Sequence, residues 1–364
     1  MKPHSLSEHL VACLLTFVLM PFAAAQFSGH QDKSRTASIT DLGSLGGDGS
    51  IGSDIDASGQ VTGLSYTSTF QLHAFLYNSR SGMVDLGTLT EDSYSYGRGI
   101  NASGQVTGVS FRSDSQYHAF LYSSRTGMVD LGTLPGDNLS DGNSINASGQ
   151  VTGSSFPSGS GSARAFLYSP RTGMVDLGSL GGKISNGIAI NASGQVTGSS
   201  ETSIPGSVHA FLYNSRSGMV DLGTPAGGVT SFGDAINNSG HVAGSFYTSG
   251  GDLHAFLYSS RTGMVDLGTL GGTTSVANGI NDYGQVTGFS YTSSGATHAF
   301  LYAPGDGMVD LNAMRSIGSG WTLSVAYAIN NAGEITGLGT NPSGATHAFL
   351  LRLHRPDIVS RPSN

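Results

Sequence analysis

Residues 265–272 read VDLGTLGG and residues 40–47 read TDLGSLGG, and five further variants of this phrase lie elsewhere in the chain. Nothing in front of the first copy resembles what precedes the other six, so the chain begins in the middle of a repeat. Aligned on the Asp of DLG (DLN in the last copy), the copies fall at Asp41, Asp85, Asp130, Asp176, Asp221, Asp266 and Asp310, with steps of 44 to 46 residues. Self-similarity at such a period marks a repeat architecture and governs every later reading.

Two more phrases keep the same beat. One is IDASGQVTG at residue 55, INASGQVTG at 100, 145 and 190, and INNSGHVAG, INDYGQVTG and INNAGEITG at 236, 280 and 329. The other is HAFLY at 73, 118, 209, 254 and 298, with RAFLY at 164 and HAFLL at 347. Each unit then holds four short strand candidates: a segment running into IN, QVTGxS, HAFLY and GMVDLG. All are rich in Val, Ile, Phe, Tyr or Thr and bounded by Gly, Ser or Asn. NASG joins the first two and SR(S/T)G the last two; Asn that bonds its own backbone and Gly at positive φ suit short hairpins. A register with Leu76 opposite Val84 and Phe75 opposite Asp85 is expected for the second hairpin.

A four-stranded sheet of this size cannot bury both faces alone. Four strands per repeat and a period of about 45 residues predict an all-β, seven-bladed β-propeller. Its ring is expected to be closed by the N-terminal strand 39–43 joining the C-terminal blade, since the chain ends with strands one to three near 324–330, 334–339 and 347–353 and no fourth. Residues 26–38 and 354–364 are expected to flank it as flexible segments.

The three phrases together resemble the HAF-repeat proteins, a family of extracellular bacterial repeat proteins, over residues 39–353. His73-Ala74-Phe75 is the name-giving motif; Arg164 and Leu351 depart from the pattern. The resemblance implies secretion and a repeat scaffold, and lends no catalytic residues.

The leader agrees with export. Residues 1–25 carry Lys2, an apolar run from Leu10 to Phe22 and an Ala23-Ala24-Ala25 cleavage signal, the layout of a signal peptide rather than of a membrane anchor. Cys13 is the lone cysteine and leaves with it, so the mature chain is expected to have neither disulfide nor thiol nucleophile. A net charge of -8 with 16 Lys and Arg offers little to a phosphate backbone, which argues against nucleic acid as a partner. A secreted or periplasmic monomer without a transmembrane anchor is the expectation.

The NASG and SR(S/T)G turns are monotonous, whereas the two-to-three and four-to-one connections differ from copy to copy. Binding or chemistry is therefore expected on the varied end. Candidates there are Tyr94, Tyr96, Arg98, Asp137, Asp141, Lys183, Phe232, Asp234, Arg315 and Trp321. The HAF histidines, repeated in different blades, are expected to bond across the blade rather than to share a metal. The DLG aspartates read as acceptors of local hydrogen bonds. No cofactor is implied, and only an incidental calcium near Asp48 or Asp137 suggests itself. GxSxG, HExxH and P-loop motifs are missing from the sequence. The leading expectation is a non-catalytic scaffold for a glycan or other surface ligand. The alternatives are a secreted hydrolase or lyase acting on a polysaccharide, and an envelope-associated structural protein.

Overall fold

In a computed structural model, residues 36–89, 92–112, 116–159, 161–314 and 320–354 are described. They form 28 strands, numbered β1–β28 in chain order, and one short 3-10 turn at Leu311–Ala313. The repeat is a four-stranded antiparallel sheet, as in β6 (Asp92–Ile100), β7 (Val106–Arg112), β8 (Tyr117–Ser123) and β9 (Gly127–Asp130). The hairpin register pairs Leu76 with Val84 and Phe75 with Asp85. In the NASG turn, Asn101 Oδ1 accepts from the N–H groups of Ser103 and Gln105, and Gly104 takes φ of 68°.

The expected closure into a ring is corrected by the hydrogen bonding: every sheet is open, and none returns to its own first strand. Three sheets have four strands, and two have eight, each made of two repeats joined by a single parallel bridge, Gly49 to Thr346 and Leu253 to Thr274. The reason lies in the outer strands. They are only four residues long, GMVD, and pair on one side only, so no ladder passes from them to the next repeat. Strand β1 (Thr36–Asp41) lies three residues earlier than expected at its start and pairs antiparallel with β28 (Thr346–His354) over six positions.

Neighbouring sheets are held by packing and by side-chain bonds to backbone. Each apolar cluster takes residues from two consecutive repeats: Ala74 and Leu86 of one with Ile100, Val106 and Phe120 of the next. The HAF phenylalanines are completely buried in all seven repeats; each such burial contributes about 1.5–3 kcal/mol. A serine rivets the joint: Ser95 Oγ accepts from the N–H of Ala74 and donates to the carbonyl of Gly87. An asparagine makes a second rivet, Asn101 Nδ2 donating to the Asn146 carbonyl at 3.0 Å, with the same link at each following repeat through Asn330 to Asp56. Among the described residues no helix is long and apolar enough to cross a membrane.

Candidate functional site

The first strand of every repeat carries a β-bulge two residues before its recurring Ile. The extra residue is Ser53, Arg98, Asn143, Ile188, Asp234, Asn278 or Tyr327, a different chemistry almost every time. Bulges re-aim a side chain and break the alternation of the strand. The first strands of successive repeats also pack against one another, so these odd residues face their neighbours rather than being scattered.

At Arg98 the local sequence explains the geometry. Gly97 lies against Thr62 Oγ1 of the preceding repeat, and a Cβ there would collide with it; a Cβ at Gly99 would come within 2.9 Å of Ser144 Cα. Two glycines thus let the neighbouring sheets close on both sides of Arg98. Its Nη1 donates to Asn143 Oδ1 and lies 3.5 Å from Asp141 Oδ2, both on β10 (Leu139–Ile145). Asn143 Nδ2 donates onward to the Gly187 carbonyl at 2.9 Å and to Asp141 Oδ1 at 3.4 Å. The N–H of Ser154 donates to Asp141 Oδ1 at 3.0 Å, and Ser154 Oγ donates to Asn186 Oδ1 at 3.1 Å. A polar ladder therefore crosses three consecutive repeats.

Above it, toward the varied end, lies a row of rings. Tyr96 and Phe111 have centroids 5.1 Å apart, Phe111 and Tyr117 5.2 Å, and Tyr117 and Phe156 6.3 Å; Tyr94 beside them is 44% exposed. Such tilted pairs are the favoured aromatic geometry. Burial raises the Asp141 carboxyl above the ordinary carboxylate range, opposed by the Arg98 guanidinium and the bonds from Ser154 and Asn143. Burial, with the Asp141 charge, pushes the Tyr117 hydroxyl up to about 12.

Of the sequence candidates, the structure brings Tyr94, Tyr96, Arg98 and Asp141 together. Asp234 holds the equivalent bulge on β18 (Gly228–Ile236), where burial lifts its carboxyl to about 7 and Ser245 Oγ is 3.5 Å away. Phe232 on the same strand meets Tyr247 edge-on at 6.4 Å. Lys183 is exposed on β14 (Gly181–Ile190), its backbone N–H bonded to Glu201. Trp321 packs, partly buried, on the cluster of Met314, Leu323 and Phe349. Arg315 lies outside the described residues. Asp137 is bound by Arg164 at 2.9 Å, and Asp48 is exposed. Among the described residues no group of three or more His, Cys, Asp or Glu is placed to hold a metal ion.

Tyr94, Tyr96 and Asp141 stand on strands rather than in connections, because the first strands begin several residues earlier than the IN phrase suggests. Sequence reasoning missed Phe111, Tyr117 and Asn143. The first two lay in the segment FRSDSQY, whose variability was their only signal; the third needed the bulge to be seen. The HAF histidines bond across the sheet, His73 Nδ1 to Asp85 at 2.9 Å, with five equivalents, and in the third repeat Arg164 pairs with Asp176 instead.

No model of a known protein family matches this chain, and no curated protein matches it in sequence. Solved structures share its fold. An oligogalacturonate lyase in complex with manganese superposes with a TM-score of 0.57 at 12% identity, covering 92% of this chain and 97% of the lyase. A puromycin hydrolase S511A mutant gives 0.56 at 11%, covering 90% of this chain, which spans 55% of the hydrolase. A puromycin-hydrolyzing peptidase of Mycobacterium tuberculosis gives 0.54 at 10%, covering 90% and 57%. At these identities the likeness shows the fold alone. It corrects one expectation: a lyase and two hydrolytic enzymes are built on this fold, so the repeat scaffold gives no ground for favouring a non-catalytic protein.

Proposed function

We propose that the protein is an exported enzyme, a lyase or hydrolase, acting on a polysaccharide at the Arg98–Asp141 ladder. One observation carries the reading: an ionisable carboxyl, a guanidinium, an amide and a phenol converge under a row of aromatic rings on the varied end of the sheets. Rings stack on sugar faces, and the polar ladder supplies donors and acceptors for hydroxyls. Burial raises the Asp141 carboxyl above its ordinary value, which makes its carboxylate a stronger proton acceptor than a free one. Arg98 is placed to stabilise negative charge that develops on a sugar held there. The lyase form has the better support. Elimination needs one base and a cation beside the sugar, whereas hydrolysis uses two carboxyls about 5–9.5 Å apart, and the described part of this cluster holds one. The leader peptide of the sequence fits an exported protein, and the fold shared with a lyase and with hydrolases is compatible with either reaction.

The test is incubation of the purified protein with polygalacturonate and with neutral polysaccharides. Reducing ends report either reaction, and ultraviolet absorbance of the unsaturated product reports elimination alone. Turnover that falls by about 10²-fold or more in Asp141→Asn is the expected result. Tight binding with no turnover on any substrate overturns the enzymatic reading.

A further inference from the structure

The described residues include ten lysines and arginines. Arg98 is paired with Asp141, Arg164 with Asp137 and Asp176, and Arg352 with Glu334; Arg112 is also engaged. Five of the remaining six stand at one place in the repeat: Arg80, Arg125, Arg171, Arg216 and Arg261, in the hairpin before each GMVD strand, and all are exposed. Among the described residues no hydrogen bond or ion pair to these five guanidinium groups is formed.

The turn does not call for arginine. Asn78 Oδ1 accepts from the backbone N–H groups of Arg80 and Ser81, and Gly82 supplies φ of 72°, so the side chain of Arg80 does nothing for the fold. Yet five of the six such hairpins carry Arg at this position, the sixth having Gly305 there with Asp306 after it. The opposite end of the same strands carries the aspartates at 41, 85, 130, 176, 221, 266 and 310. Among the described residues, five of the six cations not already paired or engaged thus stand on the same turn face, in a chain whose net charge is -8. Beside Arg80 is an open depression of about 430 Å³ lined by Ser58, Gln60, Asn78, Ser79, Arg80 and Arg352. These are hydroxyl, amide and guanidinium groups of the kind that sugars engage.

We propose that this turn face, at the opposite end of the sheets from the candidate site, docks an acidic polysaccharide whose repeated anionic groups meet the arginines in succession. The guanidinium fork matches carboxylate and sulfate, and rigid hairpins hold the five at fixed spacing. The surface favours a polymer over a lipid membrane. The tips of the basic hairpins carry no large apolar side chain to insert; the exposed Val84, Val129, Val175, Val220 and Val265 stand four residues beyond the arginines, on the outer strands, and the exposed Tyr283 belongs to the sixth repeat, which lacks the arginine. The inference is independent of the enzymatic reading, since it needs no turnover.

The test is retention of the full chain on immobilised dextran sulfate, against unsulfated dextran and vesicles of anionic phospholipid. Binding to dextran sulfate that weakens steeply with salt, and not to dextran, is expected. Replacing all five arginines by Gln (R80Q, R125Q, R171Q, R216Q, R261Q) should weaken it by about tenfold or more, with an unchanged circular dichroism spectrum. Asp306→Arg, which replaces the acidic group of the sixth hairpin, one residue after the arginine position, by a basic one, should tighten it, and this variant decides the matter if the fivefold one fails to fold. Equal retention on dextran, tighter binding to the vesicles, or indifference to both variants overturns the proposal.

Discussion

Residue 56 is aspartate where the other six repeats carry asparagine at the same turn. Asp56 Oδ1 accepts from the N–H groups of Ser58 and Gln60, as the asparagines do in their own turns. A carboxylate cannot make the second bond, in which each asparagine Nδ2 donates to the backbone of the next repeat. One rivet in the series is therefore missing, between the first and second repeats. Asp56→Asn should restore it and stabilise the protein by about 1 kcal/mol, read as a raised Tm; an unchanged or lowered Tm counts against the link. Conversely, Asn191→Ala removes a buried amide that bonds the Asn237 carbonyl at 3.1 Å and should cost about 1–3 kcal/mol in denaturant unfolding.

At the scale of the element, the His–Asp clasp between the third and fourth strands sets a pH window. In the pair His254–Asp266, 2.8 Å apart, the hydrogen bond to Asp266 raises the His254 pKa above 6.5 despite burial. For Asp266 burial works upward, but the bonds from His254 and Gly268 outweigh it and leave its pKa below 3.8. The histidine contribution is present below pH 6.5 and disappears as pH rises through its elevated folded pKa. That of the aspartate is present above pH 3.8 and disappears as pH falls through its depressed folded pKa. Clasp stability should therefore be greatest between about pH 4 and 6.5. A melting curve series should show Tm declining above that window, and His254→Gln should flatten this decline. The four strands and both hairpins were legible in the sequence because short segments rich in Val, Ile and Phe lie between the NASG and SR(S/T)G turns. The bulge at Arg98 was not. It adds one residue without disturbing the IN phrase, and only comparison of paired strands exposes it.

For the molecule as a whole, the seven-fold count was visible in periodicity alone, and the register that sets Phe75 opposite Asp85 in the repeated hairpin could be read from it. How the sheets end was not, because four-residue GMVD strands do not declare whether their outer edges are paired. Nor did the chain predict that Tyr94, Tyr96, Arg98 and Asp141 meet, since they lie in two repeats and join only when Gly97 and Gly99 allow close approach. The contact between the first and last repeats is an element on which global stability depends. Ala37 of β1 is buried against Leu351 and Phe349, so Ala37→Asp places a charge without a partner in that cluster. It should cost about 3 kcal/mol or more in chemical denaturation, whereas an exposed change such as Val129→Thr should cost little.

The pairing of β1 with β28 also has a history in time. Asp41 and His347, which bond at 2.8 Å, are separated by 306 positions. At about 5–20 residues per second of translation, the first of them waits roughly a quarter of a minute to a minute for the second to be made. Throughout that interval the opening strand has no partner, and a product cut short by a premature stop never acquires one. The β1–β28 pair can thus form only when the whole chain between its strands exists, so an unpaired opening strand sets an unfinished product apart from a complete one.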